Sequence, residues 1–182
     1  MESLFLFAKT RKKNVTGPAK VKFKTNQQTD IQYWKMYIDG ASRNNPGESG
    51  VGICIKKNDQ LFAQYSFYLG LKTNNQAEYL ALLLGLCVLN NHIEQDDLVQ
   101  IISDSQLLVR QINRQYRVKH PLLQPLHSAA QKLLAPLNYS IGHVLREENI
   151  QADELANLAV DKKSHIPQEY IILLRECGVS LD

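Results

Sequence analysis

From Tyr33 onward, short apolar runs alternate with polar breaks, and the period of the alternation changes part-way along the chain. Residues 33–39, 50–57 and 61–70 are β-rich, the last two separated by Asn58-Asp59-Gln60. They predict an antiparallel meander. Beyond Asn75 the apolar residues Ala77, Leu80, Ala81, Leu84, Cys87 and Val88 recur at helical spacing to about Asn91, and Thr73 or Asn74 can cap that helix. Residues 97–104, DLVQIISD, enclose a short apolar stretch, Leu98, Val99, Ile101 and Ile102, in which three residues are β-branched, read as a strand covered on both faces by parallel pairing. A second helix is predicted from Ser105, a third over 121–137, a strand over 139–144, a last core helix over 149–163 and a further helix over 167–178. The order implies an α/β fold: a five-stranded mixed sheet, an antiparallel meander plus parallel strands, flanked by helices. Residues 1–32 read as a polar extension or linker, 33–163 as the body and 164–182 as a C-terminal helical appendage.

Charge alters this picture mainly at the N-terminus. The chain has 182 residues, 44% hydrophobic, with net charge +3. Residues 1–32 hold seven cations against two carboxylates, a net +5 that leaves −2 for the rest. Such an arm suits a polyanionic partner, and it equally suits a solvated tail. Cys54, Cys87 and Cys177 sit singly in apolar stretches with no metal-ligand spacing, as buried thiols in a reducing compartment do. No apolar run approaches the roughly 20 residues that span a bilayer. The first residues place an apolar patch before their charges, the reverse of a secretory signal. The expectation is a cytoplasmic, monomeric protein with no membrane contact and no small-molecule cofactor.

Candidate chemistry lies where strands give way to helices. Asp39 is expected to end the first strand and Asp104 the buried one. Glu78 is expected in the first turn of the long helix and Asp153 near the start of the last core helix. Each carboxylate alone reads as a helix cap or a dipole partner. Brought to one sheet edge, the four would repel and resist burial unless a divalent cation joined them. An oxygen-only set suits Mg²⁺ or Mn²⁺.

The motifs YIDGASRNNPG, TNNQAEYLALLLGL, ISDSQLLVRQI and GHVLREENIQADELANLA, in this order over residues 33–161, resemble type 1 ribonuclease H. The resemblance covers about 70% of the chain. It implies that Asp39, Glu78, Asp104 and Asp153 bind two Mg²⁺ ions, with Mn²⁺ as substitute. It implies a mobile His143 in proton transfer or release of product and metal. Gly40, Asn45, Thr73, Asn74, Asn75, Ser105 and Gln106 are implied substrate contacts, with Gly40 and Pro46-Gly47 admitting nucleic acid close to the backbone. The implied activity is endonucleolytic hydrolysis of the RNA strand of an RNA–DNA hybrid, leaving 5′-phosphate and 3′-hydroxyl ends.

The region between the second helix and the last strand carries Arg114, Arg117 and Lys119 but no Trp, unlike members with a basic, Trp-rich protrusion. It resembles the compact archaeal and bacterial subgroup, which shifts the expected grip on the hybrid elsewhere, the basic arm among the choices. Two alternatives stand beside the nuclease reading. One is a non-catalytic nucleic-acid-binding module on the same fold. The other is a different nuclease of the superfamily, such as a junction resolvase or a reverse-transcriptase-associated domain.

Overall fold

In a computed structural model of the chain, residues 31–181 are described; the arm up to residue 30 and Asp182 lie outside the described residues. Five strands, β1 Tyr33–Ser42, β2 Gly47–Lys57, β3 Gln60–Lys72, β4 Leu98–Ser103 and β5 Asn138–His143, form one sheet of order β3-β2-β1-β4-β5. The first three pair antiparallel, and β4 pairs parallel with both β1 and β5. The mixed sheet expected from the alternation is therefore present. The helices are α1 Asn74–Asn90, α2 Gln106–Ile112, α3 Gln124–Leu134, α4 Ile150–Lys162 and α5 Gln168–Glu176.

Alternation along β1 assigns its two faces. Trp34, Met36 and Ile38 are fully buried beneath α1, whose Gly85 has the Met36 sulfur 2.6 Å from where a Cβ would sit. The sequence marks one apolar stripe on α1, yet every residue from Ala77 to Leu89 is buried. The sheet covers one side of this helix, and α3 and α5 pack against others. A helix enclosed in this way tolerates apolar side chains all round. The C-terminal helix α5 contributes Tyr170 and Leu174 to that core, followed by Val179.

The opposite face carries α4, whose Ala152 and Ala156 backbone lies so close to Gly52 that a Cβ there would meet the Ala152 carbonyl oxygen at 2.0 Å. Small residues on both elements thus seat α4, and with it Asp153, tightly on β2.

Two of the boundaries that move bear on the site. Asp39 does not end β1. Parallel pairing with β4 stops at Ile38 and Ser103, whereas antiparallel pairing with β2 continues through Asp39–Gly52 to Ser42–Ser49. Asp39 therefore stands where β1 loses one neighbour and keeps the other. Glu78 is the fifth residue of α1, in its second turn, because Thr73 caps the helix directly: its hydroxyl accepts from the Gln76 amide at 3.3 Å, and Gln76 Oε1 accepts from the Thr73 amide at 3.0 Å. Among the described residues no helix is long and apolar enough to cross a membrane.

Candidate active site

Where β4 ends, the divergence from β1 opens a cleft of about 510 Å³, lined by Asp39, Gly40, Asn74, Glu78, Asp104, Ser105, Gln106, Arg146 and Asp153 among others. Three elements deliver three carboxylates to it. Asp39 comes from β1, Glu78 from α1, and Asp104 from the residue after β4. One oxygen of each lies within 4.8 Å of the others. Asp39 and Glu78 are buried, at 5% and 6% exposure.

Gly40 makes this convergence possible. Its backbone lies against α1 so closely that a Cβ would meet the Ala77 carbonyl carbon at 2.2 Å. The glycine is thus required by helix packing at the cleft, whether or not nucleic acid approaches it. The same contact lets the Gly40 amide donate to the Glu78 carboxylate. Gly47 is likewise fixed by its own turn, since a Cβ would collide with the Arg43 carbonyl oxygen.

The electrostatics follow from this crowding. Burial, then the negative charges of Asp104 and Asp153, raise the Asp39 carboxyl to about 7. Burial, then Asp39 and Asp104, push Glu78 well above its ordinary value, against the Gly40 amide and the Arg146 charge. Glu78 Oε2 is buried without a hydrogen-bond partner. Glu78 thus adds a buried, unpartnered carboxylate oxygen to a cluster with two further carboxylates, a set of oxygen donors suited to a cation. Oxygen donors of this kind fit a hard divalent ion such as Mg²⁺ or Mn²⁺.

Asp153, in the first turn of α4, lines the same cleft but lies outside the three-carboxylate cluster. Arg146 binds it in a salt bridge, and Asn157 donates to its backbone carbonyl at 2.9 Å. Asn149, 1% exposed, donates to the Ile38 carbonyl oxygen at 2.9 Å and to Asp104 Oδ1 at 3.1 Å. It ties the start of α4 to β1 and sets the Asp104 carboxylate. Arg146 and Asn149 escaped the sequence reading. They sit in REEN, a stretch with no apolar period, seven and four residues before Asp153; that fixed offset from an acidic helix start is the signal they carried.

The remaining expected contacts divide. Asn74, Ser105 and Gln106 line the cleft. Ser105 also caps α2, accepting from the Leu108 amide at 3.4 Å. Asn45, Thr73, Asn75 and His143 are not among the lining residues. Asn45 Oδ1 instead accepts from the Asn74 amide at 2.8 Å, fastening the loop after β1 to the start of α1. Asn75 is exposed on the first turn of α1. His143 closes β5 opposite Ser103, with its side chain exposed.

A family model described as reverse transcriptase-like matches residues 37–159. Ribonuclease HI of Halobacterium salinarum is 37% identical over 127 residues, covering 69% of this chain and 63% of that protein. Ribonuclease H of Coxiella burnetii is 31% identical over 151 residues, 75% of this chain and 94% of that protein. The structure of LC11-RNase H1 in complex with an RNA/DNA hybrid superposes with a TM-score of 0.68 at 35% identity, over 71% of this chain and 98% of that one. The chain spans under two thirds of the Halobacterium protein's length. Motif order, sheet topology and these similarities together make the chain a member of the type 1 ribonuclease H family.

Proposed function

We propose that the chain is an endonuclease that hydrolyses the RNA strand of RNA–DNA hybrids, with Asp39, Glu78, Asp104 and Asp153 holding two Mg²⁺ ions, replaceable by Mn²⁺. The observation that carries this reading is the meeting of Asp39, Glu78 and Asp104 oxygens within 4.8 Å, one Glu78 oxygen being buried and unpartnered. A pure binder of a polyanion gains nothing from such a cluster. The relative solved with an RNA/DNA hybrid supports the choice of substrate.

Asp39, Glu78, Asp104 and Asp153 would hold the divalent ions, whose chemistry there would be activation of the attacking water and neutralisation of charge on the leaving 3′ oxygen, giving 5′-phosphate and 3′-hydroxyl ends. The protein's own part is placement. Gly40 and Asn149 fix Glu78 and Asp104 before substrate arrives, so little reorganisation remains at the moment of reaction. Arg146 balances the carboxylates electrostatically from the cleft mouth. Asn74, Ser105 and Gln106 present polar groups to the strand beside the carboxylates. Asn45, Thr73 and Asn75 form the neighbouring α1 corner that meets the duplex backbone. His143, exposed at the end of β5, passes a proton to the departing product. The 2′-hydroxyls displayed in the shallow minor groove mark the strand to be cut.

The test is a set of labelled substrates: RNA–DNA hybrid, double-stranded RNA, single-stranded RNA and duplex DNA, each with Mg²⁺, Mn²⁺ or EDTA. The expected result is hybrid cleavage in either metal, none in EDTA, and products bearing a 5′-phosphate. Binding without cleavage in both metals contradicts the proposal and leaves a binding module.

A further inference from the structure

Antiparallel pairing of β1 with β2 sets Lys35 directly opposite Lys56. Like charges facing each other across a ladder destabilise a sheet, and packing of the core does not require this pair. Lys35 reaches Asp59 at 2.6 Å on the exposed hairpin. Lys56 forms no salt bridge among the described residues; its ammonium lies over the Tyr37 ring, 5.2 Å from the centroid.

The two lysines lie on a sheet face that no described helix covers. Alternation along β1 buries Trp34, Met36 and Ile38 and turns Tyr33, Lys35 and Tyr37 to the other side. On that side α4 seats against β2 at Gly50 and Gly52, toward the cleft. Farther from the cleft, the register aligns Tyr33 with Leu98 and Asn138, and Lys35 with Gln100 and Ser140. Gln100, Asn138 and Ser140 are exposed, and Tyr33 is 57% exposed. Two hollows mark the face. One, of about 280 Å³, has Tyr33 and Lys35 in its lining. The other, of about 190 Å³, has Tyr37 and Lys56. Each thus combines a tyrosine with a lysine.

That combination suits an unpaired nucleic-acid strand, whose bases stack on rings while its phosphates meet the ammonium groups. Tyr33 and Tyr37 are four residues apart on one strand, about 13 Å, with the lysine pair between them. A duplex keeps its base faces inside the stack, so the rings favour a single strand. Carboxylates near the face leave this path open. Asp59 is held by Lys35, and Glu148 accepts from the Leu145 amide at 3.3 Å. Glu147 and Glu148 line the Tyr37 hollow from the turn Arg146–Glu148, across from Lys56. The basic arm begins beside Tyr33, but its seven cations are repelled by the lysine pair. A second copy laid on this face brings its own Lys35 and Lys56 to the same contact.

We infer that the uncovered face of β1, β4 and β5, through Tyr33, Tyr37, Lys35 and Lys56, binds single-stranded nucleic acid. The site is separate from the carboxylate cleft and needs neither metal nor cleavage. Asn149 connects the two, lining the Tyr37 hollow and donating to Asp104, so an unpaired tail on a nucleic acid seated in the cleft reaches this face around the turn 146–148.

The test is fluorescence anisotropy of the full-length chain in EDTA. The probes are labelled single-stranded RNA and DNA of about 12 nucleotides and a blunt RNA–DNA hybrid, each over a salt series. Tyr33→Ala is expected to raise the single-strand dissociation constant at least about fivefold, and Tyr33→Phe, which keeps the ring, to stay within about twofold of wild type. Lys56→Gln should flatten the single-strand salt slope by about 0.7. Blunt-hybrid binding should stay within about twofold in all three variants. A loss confined to RNA or to DNA supports the site and identifies its ligand. Lys56→Gln removes the cross-strand repulsion, so its melting temperature should hold or rise; if Tyr33→Ala melts lower, Lys56→Gln decides. The inference is overturned if wild type binds neither single strand, or if Tyr33→Ala and Lys56→Gln leave single-strand affinity and slope unchanged. A change in sedimentation without a change in single-strand binding also overturns it and makes the face an interface between copies. Failure of the wild-type chain to cut any hybrid bears on the cleft alone.

Discussion

Arg146 holds Asp153 in a salt bridge at the mouth of the cleft, while oxygens of Asp39, Glu78 and Asp104 lie within 4.8 Å of one another. The same guanidinium lowers the proton affinity of both Asp39 and Glu78. Arg146 thus serves as an internal counter-ion competing for the acidic site. Arg146→Ala is expected to tighten Mn²⁺ binding by about two- to fivefold, a modest gain because the Arg146 side chain is 71% exposed and its charge is screened. Isothermal titration checks this, and an equal or weaker affinity in the variant contradicts it.

The crowded carboxylates should cost the metal-free fold stability at neutral pH. Asp39 binds its proton more tightly in the folded state, about 7 against an ordinary 3.8. Between those values the folded chain holds the extra proton, so stability is greatest at the acid end and falls as pH rises toward 7. Asp39→Asn removes the liability. In EDTA at pH 7.5 the variant should melt several degrees above wild type, and the gap should close toward pH 4. Adding Mg²⁺ should stabilise wild type more than the variant.

Asn149 is expected to matter for fold and site together. Asn149→Ala leaves the Ile38 carbonyl oxygen without its side-chain donor and frees the Asp104 carboxylate. A buried group left unsatisfied costs about 1–3 kcal/mol, which for a chain of this size lowers the melting temperature by about 2–4 °C per kcal/mol. Hybrid cleavage at saturating substrate should fall about tenfold or more. Thermal melts and single-turnover rates measure the two effects separately.

The basic arm gives a separate prediction. Removing residues 1–30 deletes seven cations. It should weaken hybrid binding and flatten its salt dependence while leaving Mn²⁺ affinity and kcat near wild type. An unchanged salt slope identifies the arm as a solvated tail.

Much of this arrangement was legible in the sequence, and the gaps have physical causes. The change from period two to helical period near Asn75 set out meander and helix, and the apolar stretch within 97–104 announced a strand with neighbours on both sides. Asp39 looked like a strand end because its apolar run stops there. Pairing decided otherwise, since β2 continues alongside after β4 has departed. The stripe on α1 understated its burial, because the pattern could not show that α3 and α5 cover the remaining sides. Asn149 acts through long-range contacts to Ile38 and Asp104 that no local pattern encodes, and Arg146 carried no signal beyond its offset of seven residues from Asp153. His143 and Asn75 were chosen by resemblance, and the fold leaves both side chains exposed outside the cleft lining.

The most direct test of the central claim is cleavage of a labelled RNA–DNA hybrid at saturating Mg²⁺ by wild type and Asp39→Asn, with hybrid binding measured in parallel. The account predicts that wild type cuts only the RNA strand, and that the substitution slows cutting by at least about 100-fold, or about 2.7 kcal/mol, while the hybrid still binds. Equal rates in the two proteins would show that the carboxylates gathered around Asp39 do not perform the hydrolysis.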